Sequence, residues 1–223
     1  MIFDFNGILV DDEPIHLEMF QKVLTEEGIP LTEKDYYARY LGFDDRGAFR
    51  AVFHDNRRTL DDETLAKLIE RKAVYYRASI GQRTVIFPGA KELVARLAAR
   101  FPLAVASGAL RDEIELILQS VSLRKHFQVI VSANDVQEGK PQPEIFLKAL
   151  DGLNRSAGVD RPIGSSECLV VEDSREGILG ARRAGMKCLA VTNSHPAEEL
   201  RAAAAVVASL ADVTIPFLES LLK

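Results

Sequence analysis

Apolar positions along the 223 residues fall into two rhythms. From Pro14 to Ile80 they recur at helical spacing, and no strand pattern interrupts them. Ile15, Met19, Phe20, Val23 and Leu24 share one helix face, with Pro14 suited to its first turn and Gly28 to its end. Thr32 followed by Asp35 predicts a capped start for a second helix. Gly42-Phe43-Asp44-Asp45 reads as a break, and a third helix is expected over Arg46 to His54. Asp61 or Asp62 can cap a long fourth helix that carries Leu65, Leu68, Ile69, Lys72 and Tyr76.

From Thr84 onward the rhythm changes to short, continuous apolar runs separated by helical stretches. The predicted strands are LAVAS (103–107), QVIVSA (128–133), CLVVED (168–173), KCLAVTN (187–193) and AVVAS (205–209). Helices are expected over GAKELVARLAARF from Gly89, Arg111 to Ser122, Pro143 to Leu150, Arg175 to Ala184, from Pro196, and Ile215 to Leu222. Asp151 to Glu167 reads as a loop. Such alternation indicates a parallel sheet buried on both faces, with right-handed crossovers. The Ile2–Phe5 run has no strand partner among residues 14–80, so it must join this later sheet. The predicted fold is α/β, a doubly wound three-layer parallel-sheet core with an inserted α-helical domain. Residues 1–12 and 84–223 form the core, and residues 13–83 form the helical insert.

Composition narrows the function classes. The chain is 47% hydrophobic and 27% charged, with a net charge of −5 and no basic block, which argues against nucleic acid as a partner. The best apolar run, Ala202 to Ala211, is too short to span a bilayer, and no basic flank and apolar stretch mark a signal peptide. Cys168 and Cys188 lie in apolar runs and are expected as buried thiols, since two lone cysteines make neither a metal spacing nor a disulfide framework. A cytoplasmic location is the default that follows.

The polar residues that end the strands carry the chemistry. The first run ends at Asp4 and Asn6, LAVAS at Ser107-Gly108, and CLVVED at Glu172-Asp173, while QVIVSA leads by a loop to Lys140. In a parallel sheet these ends share one edge, where α/β proteins bind ligands. Each has an ordinary explanation: Ser107 as a helix cap, Lys140 as a turn lysine before proline, Glu172-Asp173 as caps for the next helix. Their coincidence on one edge favours a site. Asp4 with Asp173 or Glu172 offers hard oxygen ligands for Mg²⁺. Ser107, nearby N–H groups and Lys140 can hold phosphate oxygens, and Asp4 can serve as a carboxylate nucleophile. No Walker-type glycine loop is present.

Four segments, taken in order, resemble the four motifs of the haloacid dehalogenase (HAD) superfamily. They are DFNGILVDDE, VASG, GKPQPEIF and VVEDSREGILGARRAG. The insert after the first motif resembles the cap of the β-phosphoglucomutase and phosphoglycolate phosphatase branch. The resemblance implies Asp4 as nucleophile, and Mg²⁺ held by Asp4, the Asn6 carbonyl and Asp173 with help from Glu172. It implies that Ser107, Gly108 and Lys140 bind the phosphoryl group. His16 and Lys72 fall where such caps place polar residues toward the active site, and Arg46 lies in a segment resembling their specificity loop.

One position departs from the pattern. The family motif has a second aspartate two residues after the nucleophile, which protonates the leaving oxygen and then activates water. Here that residue is Asn6, and an amide exchanges no proton near neutral pH. The expectation is a Mg²⁺-dependent phosphatase of a small phosphorylated metabolite, acting through an aspartyl phosphate and slowed by Asn6. The alternatives are a sugar-phosphate mutase or a catalytically weak phospho-ligand-binding protein. A monomer is expected, because a cap must open and close.

Overall fold

The computed structural model describes residues 1–41, 43–80, 86–156 and 161–222. The chain divides into two compact units, Met1–Asp11 with Val85–Lys223, and Asp12–Thr84. The break predicted at Gly42 and the boundary predicted at 83–84 lie outside the described residues.

The first unit is built on a six-stranded parallel sheet. Its strands are β1 (Ile2–Phe3), β2 (Ala104–Ala106), β3 (Val129–Val131), β4 (Leu169–Glu172), β5 (Lys187–Val191) and β6 (Ala205–Val207). They lie in the order β3-β2-β1-β4-β5-β6, and all pairs are parallel. β1 is short but central: Ile2 pairs with Ala104 on one side and Val170 on the other. The Asp4 N–H continues that ladder onto the Val171 carbonyl at 2.9 Å, so the first carboxylate is held by sheet backbone.

Both sheet faces are covered. On one, Ile2, Ala104, Ala106, Val170, Cys188 and Ala190 pack with Ile145, Phe146, Ala149, Leu153, Ile178 and Ala181 in a single core cluster. The alternate residues Phe3, Val105, Ile130, Val171 and Leu189 are buried as well, which a one-sided sheet would not allow. Cys168 and Cys188 are buried free thiols.

The second unit contains four helices among its described residues: α1 (Glu13–Glu26), α2 (Glu33–Arg39), α3 (Asp45–Asp55) and α4 (Asp62–Ile80). Thr32 caps α2 by accepting the Asp35 N–H at 3.0 Å, and Asp61 accepts the Thr64 N–H at 2.7 Å at the start of α4. Asp44 caps α3 through the Gly47 N–H at 2.7 Å, so that helix begins one residue before Arg46. The core includes Phe20, Leu24, Phe49, Val52, Leu65 and Leu68, with the Phe20 and Phe49 rings edge-on at 5.0 Å.

The remaining helices of the first unit are α5 (Ala90–Ala98), α6 (Arg111–Ser120), α7 (Glu144–Arg155), α8 (Arg175–Arg183) and α9 (Ile215–Leu222). Two readings need correction. α7 runs through Asp151 and Gly152, which the sequence places in a loop. Gly152 is a packing glycine there, since a Cβ would come within 2.8 Å of the Val129 side chain, and Leu153 beyond it is fully buried. The helix expected from Pro196 is instead a pair of turns, with Glu199 N–H on the Pro196 carbonyl and Leu200 N–H on the Ala197 carbonyl. Leu200 is buried in the core, and the Ala204 N–H already pairs with the Cys188 carbonyl at 2.8 Å. No helix among the described residues is long and apolar enough to cross a membrane.

Candidate active site

The carboxyl ends of β1, β2, β4 and β5 and the loop beyond β3 supply the polar residues of one cluster. After β1 the chain turns tightly, with the Leu9 and Val10 N–H groups on the Phe5 carbonyl at 2.8 and 3.1 Å. Gly7 takes φ 75° there, and a Cβ on it would run into the Asp173 carboxylate, so both conformation and space demand glycine.

Lys140 is the hub. Its Nζ lies 2.7 Å from Asp4 Oδ1 and 2.6 Å from Glu172 Oε1, and the Phe146 ring centroid lies 5.4 Å away. The other Glu172 oxygen accepts the Asp173 N–H, the Ser174 N–H and the Ser174 hydroxyl at 2.9, 2.9 and 2.8 Å. Glu172 therefore joins Lys140 to the start of α8. Ser174, and neither acidic neighbour, caps that helix by accepting the Gly177 N–H at 3.0 Å. The ordinary explanation for Glu172-Asp173 is thus taken up by the next residue. Ser107 likewise caps no helix: its hydroxyl accepts the Ala109 N–H at 3.1 Å and donates to Asn6 Oδ1 at 3.3 Å. Gly108 beside it is exposed.

Charge in this cluster is unbalanced. Asp4, Glu172 and Asp173 are buried, and each offers an oxygen within 4.8 Å of the others. Burial, with repulsion from Glu172, pushes the Asp4 carboxyl up to about 7 even though Lys140 opposes the shift. Asp173 is pushed well up as well, by burial and by the Glu172 and Asp4 charges. Burial would lower the Lys140 ammonium, but Asp4 and Glu172 outweigh it and raise it above the ordinary lysine range. One ammonium thus faces three carboxylates. An all-oxygen donor set with two charges left to balance fits a small divalent cation.

The other candidates lie in the helical unit and form their own network. Lys72 is 1% exposed, 2.8 Å from His16 Nδ1 and 2.5 Å from Asp45 Oδ1, with its ammonium 4.3 Å from the Phe20 ring centroid. His16 Nε2 lies 3.2 Å from Asp12, to which the Tyr76 hydroxyl also donates. Burial and Lys72 disfavour the imidazolium, but Asp12 and Glu13 prevail and raise the His16 pKa. Arg46 is exposed on the first turn of α3.

Two residues at the β-sheet edge escaped the sequence reading. Asn193 Nδ2 donates to the Gly7 carbonyl at 2.6 Å, and the Ser194 hydroxyl donates to Asp173 Oδ2. The signal was available, because Thr192-Asn193-Ser194 follows an apolar strand just as Ser107 and Asp173 do.

Known proteins share this organisation. A validoxylamine A 7'-phosphate phosphatase of Streptomyces hygroscopicus subsp. limoneus is 29% identical over 216 residues, covering 96% of this chain and 95% of that protein. A phosphorylated carbohydrates phosphatase of Thermotoga maritima is 30% identical over 190 residues, covering 84% of this chain and 82% of its own. The crystal structure of a β-phosphoglucomutase from Clostridium difficile superposes with a TM-score of 0.86 over 99% of this chain and 95% of that one, at 22% identity, a likeness of fold. The family profile described as haloacid dehalogenase-like hydrolase matches residues 1–191, a span that runs from the strand bearing Asp4 to the end of β5. With the acidic, lysine-bridged edge and the motif order in agreement, the chain belongs to the haloacid dehalogenase-like hydrolases.

Proposed function

We propose that this protein is a Mg²⁺-dependent phosphatase of a small phosphorylated metabolite, with Asp4 as nucleophile. The observation that carries the reading is Asp4 itself: a buried carboxylate fixed at a central strand end, hydrogen-bonded to Lys140 and crowded by Asp173 and Glu172. Asp4, Asp173 and the Asn6 carbonyl would hold the ion, and Glu172 would support them from behind while it positions Lys140. The bound ion supplies charge that offsets the substrate phosphate.

In the first step an Asp4 oxygen bonds to phosphorus and the ester P–O bond breaks, so that the leaving oxygen departs as the alkoxide and takes its proton from solvent water. In the second, water attacks the aspartyl phosphate and releases inorganic phosphate and the Asp4 carboxylate. Lys140 favours the anionic form of Asp4 against burial and, with Ser107 and the Gly108 N–H, stabilises the transferring phosphoryl group. Asn6 supplies a hydrogen bond but no proton, so leaving groups that depart without protonation are the favoured substrates. The named relatives are phosphatases of validoxylamine A 7'-phosphate and of phosphorylated carbohydrates, which makes carbohydrate phosphates the class to screen first. The helical unit, residues 13–83, serves as the cap domain, with His16, Arg46 and Lys72 as its candidate specificity residues.

The test is phosphate release from a panel of phosphorylated metabolites, with and without Mg²⁺. Asp4→Asn should abolish turnover. Asn6→Asp should raise kcat by about 10²-fold or more on poor leaving groups, the usual worth of a general acid–base. An active parent whose kcat is unchanged by Asn6→Asp would show that another group moves the proton.

A further inference from the structure

The loop after β5 has no role in the reading so far, yet it touches the proposed metal site at two points. β5 lies beside β4, and β4 beside β1, so residues just past these three strands are neighbours at one edge. Asn193 Nδ2 holds the Gly7 carbonyl at 2.6 Å, in the turn that follows Asp4. Ser194 donates its hydroxyl to Asp173 Oδ2, and Gly7 is pressed against both groups, so that a Cβ on it would meet the Asp173 carboxylate and the Ser194 oxygen together. The loop is itself fastened, since the Thr192 N–H pairs with the Val207 carbonyl at 3.0 Å and His195 Nδ1 lies 3.4 Å from Glu199. A fixed donor is thus aimed at one oxygen of a carboxylate that crowding by Glu172 and Asp4 would otherwise displace.

We propose that Ser194 is a positioning residue for cation binding: its hydroxyl occupies Asp173 Oδ2, so that Asp173 meets the ion through one oxygen only. This rests on the reading of Asp4 and Asp173 as Mg²⁺ ligands. Its consequence is selectivity. Mg²⁺ demands a compact octahedral set and takes carboxylates through single oxygens, whereas Ca²⁺ accepts more ligands and two-oxygen carboxylates. Freed from Ser194, Asp173 can rotate and offer both oxygens. Asn193 supports the same arrangement by holding the Gly7 turn against Asp173.

The experiment measures metal binding directly, by calorimetric titration of Mg²⁺ and, separately, Ca²⁺ into the EDTA-stripped full chain without substrate. Ser194→Ala should weaken Mg²⁺ binding about 10- to 100-fold, the usual effect of losing a hydrogen bond to a metal ligand. Ca²⁺ binding should change less, and Ser194→Thr, which keeps the hydroxyl, should restore the preference for Mg²⁺. An unchanged Mg²⁺ affinity in Ser194→Ala, or equal losses for both ions, would overturn the proposal. Asp173→Asn separates the two levels of the argument. If it loses Mg²⁺ binding while Ser194→Ala does not, the positioning role alone fails; if neither variant alters Mg²⁺ binding, the metal site falls and the inference with it.

Discussion

Asp4 is under two opposed demands. As the proposed nucleophile it must be ionised, yet burial and the neighbouring Glu172 push it up to about 7 from 3.8. A carboxyl raised on folding favours the protonated protein. Its stabilising effect is complete below the unfolded value, fades as pH rises through the interval up to about 7, and is gone above it. Asp173 shifts in the same direction, and so does His16 in the helical unit. The carboxylates lowered by surface partners, such as Glu167 at about 2 beside Arg161, titrate below this window. In EDTA the melting temperature should therefore fall between pH 5 and pH 7.5. Saturating Mg²⁺ should recover more of it at pH 7.5 than at pH 5, because the cation competes with protons for the same oxygens. The Mg²⁺-dependent part isolates the carboxylates from His16. A larger Mg²⁺ effect at pH 5 would place the ion elsewhere.

At the scale of single elements, α8 shows how the site is built into ordinary helix chemistry. Ser174 caps the helix and also donates to Glu172, so Ser174→Ala removes a cap worth about 1 kcal/mol, within a usual range of about 0.5–2, and leaves a Glu172 oxygen with one donor fewer. Gly177 tests the packing from the other side. An exposed helix glycine replaced by alanine would gain about 1 kcal/mol. Here a Cβ would overlap the Glu172 carboxylate, so Gly177→Ala should reverse that sign and lower stability in chemical denaturation. A stabilised Gly177→Ala would mean that Glu172 can move, and with it Lys140. These elements also mark what could be read in advance. Each strand was visible as a continuous apolar run, and Asp4, Ser107, Lys140, Glu172 and Asp173 stood out because they end such runs or follow them by a loop. Asp151-Gly152 has the composition of a turn, which hides the last turn of α7 from local pattern, and only the Val129 side chain facing Gly152 shows why glycine is there. Ser194 is legible in the same way as a residue that follows an apolar run, but its pairing with Asp173 depends on β5 lying beside β4, a matter of sheet order that local pattern does not contain.

For the whole molecule, two of the buried apolar clusters lie in different units. The cluster around Ile2, Phe146 and Val170 and the cluster around Phe20, Phe49 and Leu65 share no residue. Every proposed metal ligand belongs to the first unit, and so do Lys140, Ser107 and Ser194. Damage confined to the second interior should therefore cost stability without altering cation affinity. Phe49 is the sharpest probe, fully buried and edge-on to Phe20. Phe49→Ala should destabilise the helical unit by about 3–5 kcal/mol, the usual cost of emptying an aromatic core position. It should leave the Mg²⁺ dissociation constant of the metal-stripped protein within about twofold, since Phe49 packs in a cluster that contains none of the proposed ligands and residues without shared partners act independently. Turnover is a separate readout. If His16, Arg46 and Lys72 select the substrate, Phe49→Ala should raise KM while Mg²⁺ binding stays constant. A parallel loss of Mg²⁺ affinity would show that the helical unit contributes to the metal site, and the assignment of all its ligands to the sheet edge would have to be abandoned.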